Sequence, residues 1–172
     1  MNSATGTPPG PRSGSFIGRH PLRMTGVVLN SVFRLLFGLF WLAAGVNKLA
    51  KGWLTTDILK RIFEDRLTEM HPDSFQVAYL QAFAIPLYKA VAWIVTFGEL
   101  YVGIGLLLGL TTRWAAALSF FILVNLSLGG YYDASLIPFF LLSLVFVIWP
   151  SGQWFGLDRW LARKYPGSRW FC

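Results

Sequence analysis

The sequence predicts an all-α integral membrane four-helix bundle, with both termini cytoplasmic and an amphipathic helix in its first outer loop. Three observations carry that expectation. Hydrophobic residues fill 55% of the 172 positions and charged residues only 13%, about half the ~25% charge of a typical soluble domain. The apolar residues gather into runs free of Asp, Glu, Lys and Arg, such as Trp114 to Leu128 and Ala134 to Trp149, as expected where the solvent is lipid. Aromatic residues, 17% of the chain, sit at run ends at Trp53, Trp114, Tyr131, Tyr132 and Trp149, where amphipathic rings suit a membrane interface.

Residues 1–25 read as a flexible cytoplasmic tail. Gly, Pro, Ser and Thr dominate up to residue 21, with Arg12 and Arg19 among them, and such a stretch buries too little apolar surface to offset the entropy of ordering. A cleaved signal peptide fits less well, because the apolar stretch that follows is long and carries Arg34. The membrane domain is expected over 26–150. Its first span runs from about Gly26 to Leu49, roughly 24 residues against the ~20 that cross a hydrocarbon core, and ends at Asn47, Lys48 and Lys51. The second runs from about Pro86 to Leu110, with proline tolerated in its first turn. Thr111, Thr112 and Arg113 then turn the chain into a third span, Trp114 to Leu128, which stops at Gly129 and Gly130 because left-handed backbone costs glycine little. The fourth, about Ser135 to Trp149, has Pro138 near its start and Pro150 after its end.

Between the first two spans, Ile58, Leu59, Ile62, Phe63, Leu67 and Met70 recur at helical spacing, the mark of an amphipathic helix. Its opposite face pairs Asp57 with Arg61, Lys60 with Glu64 and Arg61 with Asp65 at i, i+4, which indicates a water-facing side. Residues 151–172 read as a basic, aromatic interfacial tail, with Trp154, Arg159, Trp160, Arg163 and Lys164 anchoring it to the membrane surface. The chain has 15 basic and 8 acidic residues, a net charge of +7, and the excess lies at the termini beside apolar spans. Attraction to anionic lipid accounts for it, and nucleic acid is not an expected partner. Basic residues near the span ends place both termini in the cytoplasm.

Ionisable groups inside hydrocarbon cost about 2.5–3.5 kcal/mol each on insertion scales, which singles out Arg34 and Glu99. At 1.5 Å per residue, Arg34 stands roughly 10 Å above the inner end of its span, Glu99 roughly 18 Å and Asn125 roughly 16 Å. Arg34, Glu99 and Asn125 are therefore expected to form a buried polar cluster. It serves either as a quinone or proton site or as an ion pair that sets helix register. Arg34, Gly38, Trp41, Gly45 and Lys48 share one stripe of the first span, and Gly38, Gly45, Gly103, Gly105 and Gly109 are candidate helix-packing positions.

Several chemistries are not expected. His20 and His71 lie outside the spans, so bis-histidine haem or His-ligated chlorophyll held by this chain is not expected. Cys172 is the only cysteine, which leaves no disulfide or thiolate site within one copy. No Asp, Glu, His and Cys group has metal-ligand spacing. Gly103, Gly105 and Gly109 have no strand before them, so they do not form a nucleotide loop. Asp133 and Asp158 are expected to cap or flank helix ends.

Three segments carry a family resemblance: RLLFGLFWLAAGVNKL at Arg34 to Leu49, GELYVGIGLLLGLTTRWAA at Gly98 to Ala116, and GQWFGLDRWL at Gly152 to Leu161. Together they resemble the DoxX family of small four-helix membrane proteins, including its DoxD-like branch. The likeness covers residues 30 to 162 and rests on Arg34, Gly45, Lys48, Glu99, Gly109, Thr112, Arg113, Gly156, Leu157 and Asp158. It implies a redox-linked membrane subunit, since some members are small subunits of thiosulfate:quinone oxidoreductase and others associate with membrane oxidoreductase or oxidative-stress complexes. No catalytic residue comes with it. The expectation is a subunit of a quinone-linked electron-transfer assembly in a bacterial or archaeal cytoplasmic membrane. Its partners would be membrane lipids and other subunits of a redox or photosynthetic complex. It would hold no redox centre of its own, and at most a quinone or lipid. A structural or assembly subunit of a photosynthetic or respiratory supercomplex, a quinone-reducing small subunit and a small transporter are the alternatives.

Overall fold

The computed structural model describes residues 21–149, 152 and 156–165, and among these it is all-helical, without strands. The tail up to residue 20, Pro150, Trp154 and residues 166–172 lie outside the described residues. The helices are α1 (Pro21–Ala50), α2 (Ile58–Thr68), α3 (Phe75–Tyr79), α4 (Tyr88–Leu108), α5 (Thr112–Leu128), α6 (Ile137–Ile148) and α7 (Leu157–Lys164). Two stretches, Met24–Ala50 and Tyr88–Leu108, are long and apolar enough to cross a membrane, and Thr112–Leu128 and Ala134–Ile148 are shorter apolar helices.

Besides α4, which is two residues shorter at each end than the expected Pro86 to Leu110, the helix boundaries differ from expectation at three places. Residues 21–25 belong to α1 rather than to a tail, because Pro21 suits a first helical turn and nothing after it breaks the ladder. α5 begins at Thr112, two residues before Trp114, because its first amides find a distant acceptor described below. An unanticipated helix, α3, precedes α4. Ser74 caps it by accepting from the Val77 amide at 3.4 Å, and it continues into a single π-turn over Leu80–Ala84. Pro86 lacks the amide that would extend an ordinary α-helical ladder, and the chain instead closes with Ile85 donating to the Leu80 carbonyl at 2.8 Å.

α1 packs on α4, α4 on α5, α5 on α6, and α6 returns to touch α1. The α1–α4 pair is antiparallel and unusually close. A Cβ at Gly103 would stand 2.5 Å from the Leu42 amide nitrogen, one at Gly38 would meet the Leu107 amide at 3.0 Å, and one at Gly45 would meet the Leu100 side chain at 2.9 Å. Small residues that let backbones touch are a main source of helix association in lipid, where burying apolar side chains gains nothing. Around this seam Phe37, Trp41, Val102, Leu106, Ala115, Leu123 and Phe146 form the main core. The buried Ser119 and Ser143 hydroxyls meet at 2.8 Å and join α5 to α6.

α1 ends near the middle of α4, so α2, α3 and the π-turn cover the N-terminal half of α4. Leu59, Phe63, Leu80, Ala84 and Ala92 form a second core there. α2 is the anticipated amphipathic helix, with Leu59 and Phe63 buried and the Lys60–Glu64 pair exposed at 3.6 Å. Asp133 caps the turn before α6 by accepting from the Ser135 amide at 2.6 Å.

The seam makes Gly103→Ala costly. The added methyl has only the Leu42 backbone to displace, and overpacking of this kind costs about 1–3 kcal/mol. Thermal unfolding in detergent is expected to show a clear loss for Gly103→Ala and little change for Gly26→Ala, where the nearest atom is a Trp149 ring carbon at 3.5 Å.

Candidate functional site

α1, α4, α5, the start of α6 and the helices between α1 and α4 enclose a cavity of about 450 Å3, within the ~300–1,000 Å3 range of small-molecule sites. Its walls are almost wholly apolar. The polar groups are Lys48 and Glu99 on one wall and Tyr79 and Asn125 on another. The register of α1 on α4 brings Lys48 to Glu99, with the lysine Nζ 2.7 Å from both carboxylate oxygens. The same ammonium lies 4.9 Å from the centre of the Trp53 ring. Tyr79 donates its hydroxyl to Asn125 Oδ1 at 2.9 Å, and Asn125 Nδ2 donates to the Phe121 carbonyl at 2.9 Å. Burial pushes the Tyr79 hydroxyl above its ordinary value.

Trp41 also lines this space. Its ring is 3% exposed, and its indole N–H meets no acceptor among the described residues. An orphaned donor of this kind is a standing cost, commonly about 1–3 kcal/mol.

The anticipated three-membered cluster does not form. Glu99 and Asn125 line the same cavity, but Arg34 lies at the other end of the α1–α4 seam. The separation follows from antiparallel register: Lys48 stands opposite Glu99, and Arg34 opposite Gly109, ten residues or roughly 15 Å further along α4. Depths measured from the assumed ends of separate spans could not reveal this. Lys48, which the sequence places on the right stripe but at the end of a span, is the partner of Glu99 that sequence reasoning misses.

Arg34 belongs instead to a node that ties α7 to the α4–α5 turn. A Cβ at Gly109 would stand 2.5 Å from Arg34 Nη1 and 2.7 Å from the Gly156 Cα, and the Arg34 guanidinium lies within the electrostatic reach of Asp158. The Asp158 carboxylate accepts from the Thr111 amide at 2.6 Å, the Thr112 amide at 3.0 Å and the Thr112 hydroxyl at 2.9 Å. It thereby caps α5 from a distant helix and holds Thr111 in a left-handed conformation, φ 50°, which costs a β-branched residue about 1–2 kcal/mol. The Asp158 amide donates to the Gly109 carbonyl at 2.9 Å. Gly105 packs at the same turn, where a Cβ would meet the Ala115 methyl at 3.1 Å.

Of the tail residues expected to reach the membrane surface, Arg159, Trp160, Arg163 and Lys164 are exposed on α7, with the Lys164 ammonium 5.0 Å over the Trp160 ring. Trp154 lies outside the described residues. No group of His, Cys, Asp and Glu among the described residues could hold a metal ion.

A family model described as DoxX matches residues 29–128, which run from within α1 to the end of α5 and include Lys48, Glu99, Tyr79 and Asn125 of the cavity wall. No curated protein and no solved structure matches the chain.

Asp158→Ala is expected to destabilise the fold by about 3–5 kcal/mol, the cost of removing one partner from a buried charged network. Thermal unfolding in detergent measures the loss, and limited proteolysis should show α7 released before the rest of the chain. An unchanged melting point would contradict the capping role.

Proposed function

We propose, from the premise that the chain belongs to the DoxX family, that it is a membrane subunit of a larger quinone-linked electron-transfer assembly. In this reading α1, α4, α5 and α6 each cross a bacterial or archaeal cytoplasmic membrane, and both termini are cytoplasmic. The subunit carries no redox centre of its own, and its cavity receives the head of a quinone.

The observation that carries the reading is the Lys48–Glu99 pair set in the wall of an apolar cavity. Ionisable groups at such depth are expensive and by default mark a binding or proton site. The donor set fits a quinone: the orphaned Trp41 N–H and the Lys48 ammonium are hydrogen-bond donors, and a quinone ring offers carbonyl oxygens as acceptors within an apolar body. When bound, a quinone supplies a two-electron, two-proton acceptor for an electron-donating partner. This chain's part is to hold and orient the ring, exclude water from it, and keep a carboxylate and an ammonium beside it that can trade a proton.

A second reading is an assembly protein, and the completeness of the ion pair favours it. Both Glu99 oxygens are satisfied by one lysine, an arrangement that also fixes helix register without any ligand. A double variant separates the two. Replacing both members of a buried ion pair by apolar residues of similar volume is about neutral for folding, so Lys48→Met with Glu99→Met should fold and assemble. The intact assembly would be isolated in mild detergent with its co-migrating subunits, and quinone reduction measured per assembled complex. The proposal expects at least a roughly tenfold loss of rate in the double variant, equivalent to about 1.4 kcal/mol. A preserved rate per complex would leave the pair as a packing device and favour the assembly reading, including a supercomplex scaffold. A wild-type chain that migrates alone and colourless would overturn the subunit proposal.

A further inference from the structure

We infer that the cavity is loaded sideways from the bilayer, through a mouth between the outer halves of α4 and α5, and that its occupant is an amphipath whose hydrocarbon tail stays in that mouth. The inference rests on the quinone reading of the same cavity and adds the route and the tail.

The first observation is where α4 and α5 touch. Towards their inner ends they are in close contact: a Cβ at Gly105 would meet Ala115 at 3.1 Å and one at Gly98 would meet Ile122 at 3.1 Å. Beyond Gly98 the facing residues line the cavity instead, Ile94 on α4 and Asn125 and Leu126 on α5. The seam opens outward, and the cavity occupies the gap.

The second observation is which cavity residues meet the surroundings. Ile94 is 57% exposed, Phe121 55%, Phe40 47%, Phe83 45% and Leu126 40%. These side chains belong at once to the cavity wall and to the outer surface, all five are apolar, and Ile94, Phe121 and Leu126 lie on α4 and α5. A water-filled mouth would expose them at a hydrophobic cost, whereas a mouth in lipid exposes them at none.

The third observation is that the roof is shut. Leu59 and Phe63 of α2 are 3% and 8% exposed. Arg66 donates to the Gly130 carbonyl at 2.7 Å and lies 5.0 Å over the Tyr131 ring. The Tyr131 hydroxyl donates to the Ile62 carbonyl at 3.3 Å. Several contacts thus fasten α2 to the turn after α5. Beside the mouth, the polar link is the Tyr79–Asn125 hydrogen bond from α3 to α5. A lipid-dissolved molecule could pass between Ile94 and Leu126 with its polar head leading towards Lys48 and Glu99, and its tail would remain where it began.

Two probes test this on the full chain in phosphatidylcholine nanodiscs: tritiated decylubiquinone, counted by scintillation proximity, and the same benzoquinone ring without its tail, used as competitor. Ile94→Phe and Leu126→Phe each add bulk at lipid-facing positions that tolerate it, and thermal unfolding checks that each variant is folded. Each is expected to weaken decylubiquinone binding at least about tenfold while changing competition by the tail-less ring less than about threefold. Arg66→Ala, which loosens the roof, is expected to leave both probes within about threefold. If neither mouth variant weakens decylubiquinone binding, whatever Arg66→Ala does, the tail does not lie between Ile94 and Leu126; the lateral mouth is then overturned and the quinone reading stands. If the wild type shows no saturable binding of decylubiquinone, both are overturned.

Discussion

The contact of α1 with α4 at Gly103 governs the rest of the molecule. With no side chain at that position, the Leu42 backbone comes so near that even a methyl group has no room. Such an approach admits only one register, because sliding either helix by a turn would set a leucine where a glycine must be. Gly38 and Gly45 repeat the constraint on either side. The register then decides what each buried charge faces: Lys48 meets Glu99 at one end of the seam, and Arg34 stands against Gly109 at the other. Attraction between charges is stronger in a low-dielectric interior, but it acts on partners that glycine packing has already brought level.

The same register explains why there is a cavity. α1 runs out two residues after Lys48, while α4 continues outward past it. Short helices cover the remainder, and α3 with its π-turn makes a less regular wall than a continuous helix would. Phe and Leu side chains from these short elements meet the α4 face but leave space beneath them. The Lys48–Glu99 pair sits at the edge of the tight seam, where it is held by rigid packing on one side and faces open volume on the other. A binding group is best placed on elements whose own positions are fixed.

The parts of this arrangement that follow from one helix at a time could be read in the sequence. The stripe of Arg34, Gly38, Trp41, Gly45 and Lys48 follows from a 3.6-residue period, and each of these residues does face α4 or the cavity. The amphipathic spacing from Ile58 onward likewise foretold α2. What could not be read depends on how two helices are set against each other. Arg34 and Glu99 had comparable depths on paper, but the offset between α1 and α4 separates them. Lys48 was hidden by its position near a helix end, where lysines ordinarily reach for water. Asp158 was foreseen as a capping residue, yet it caps α5, 46 positions away, and only tertiary structure brings those groups together. α3 escaped notice because it is five residues long and its apolar spacing merges with that of the next span.

The two ends of the molecule differ in how they are held. At the α7 end, Asp158 receives three hydrogen bonds, Gly109 and Gly156 are in backbone contact, and the α4–α5 turn cannot move without breaking all of these together. At the opposite end the covering helices are held by side chains, through the core of Leu59, Phe63 and Leu80 and the hydrogen bonds of Tyr88 to Asp57, Tyr79 to Asn125, Arg66 to Gly130 and Tyr131 to Ile62. Each of these hydrogen bonds is typically worth about 0.5–1.5 kcal/mol, whereas the glycine seam fixes α1 on α4 by backbone contact. The difference comes from the two lengths of a single helix pair: the half of α4 that α1 covers is locked backbone to backbone, and the half it leaves bare is covered by short helices packed through their side chains.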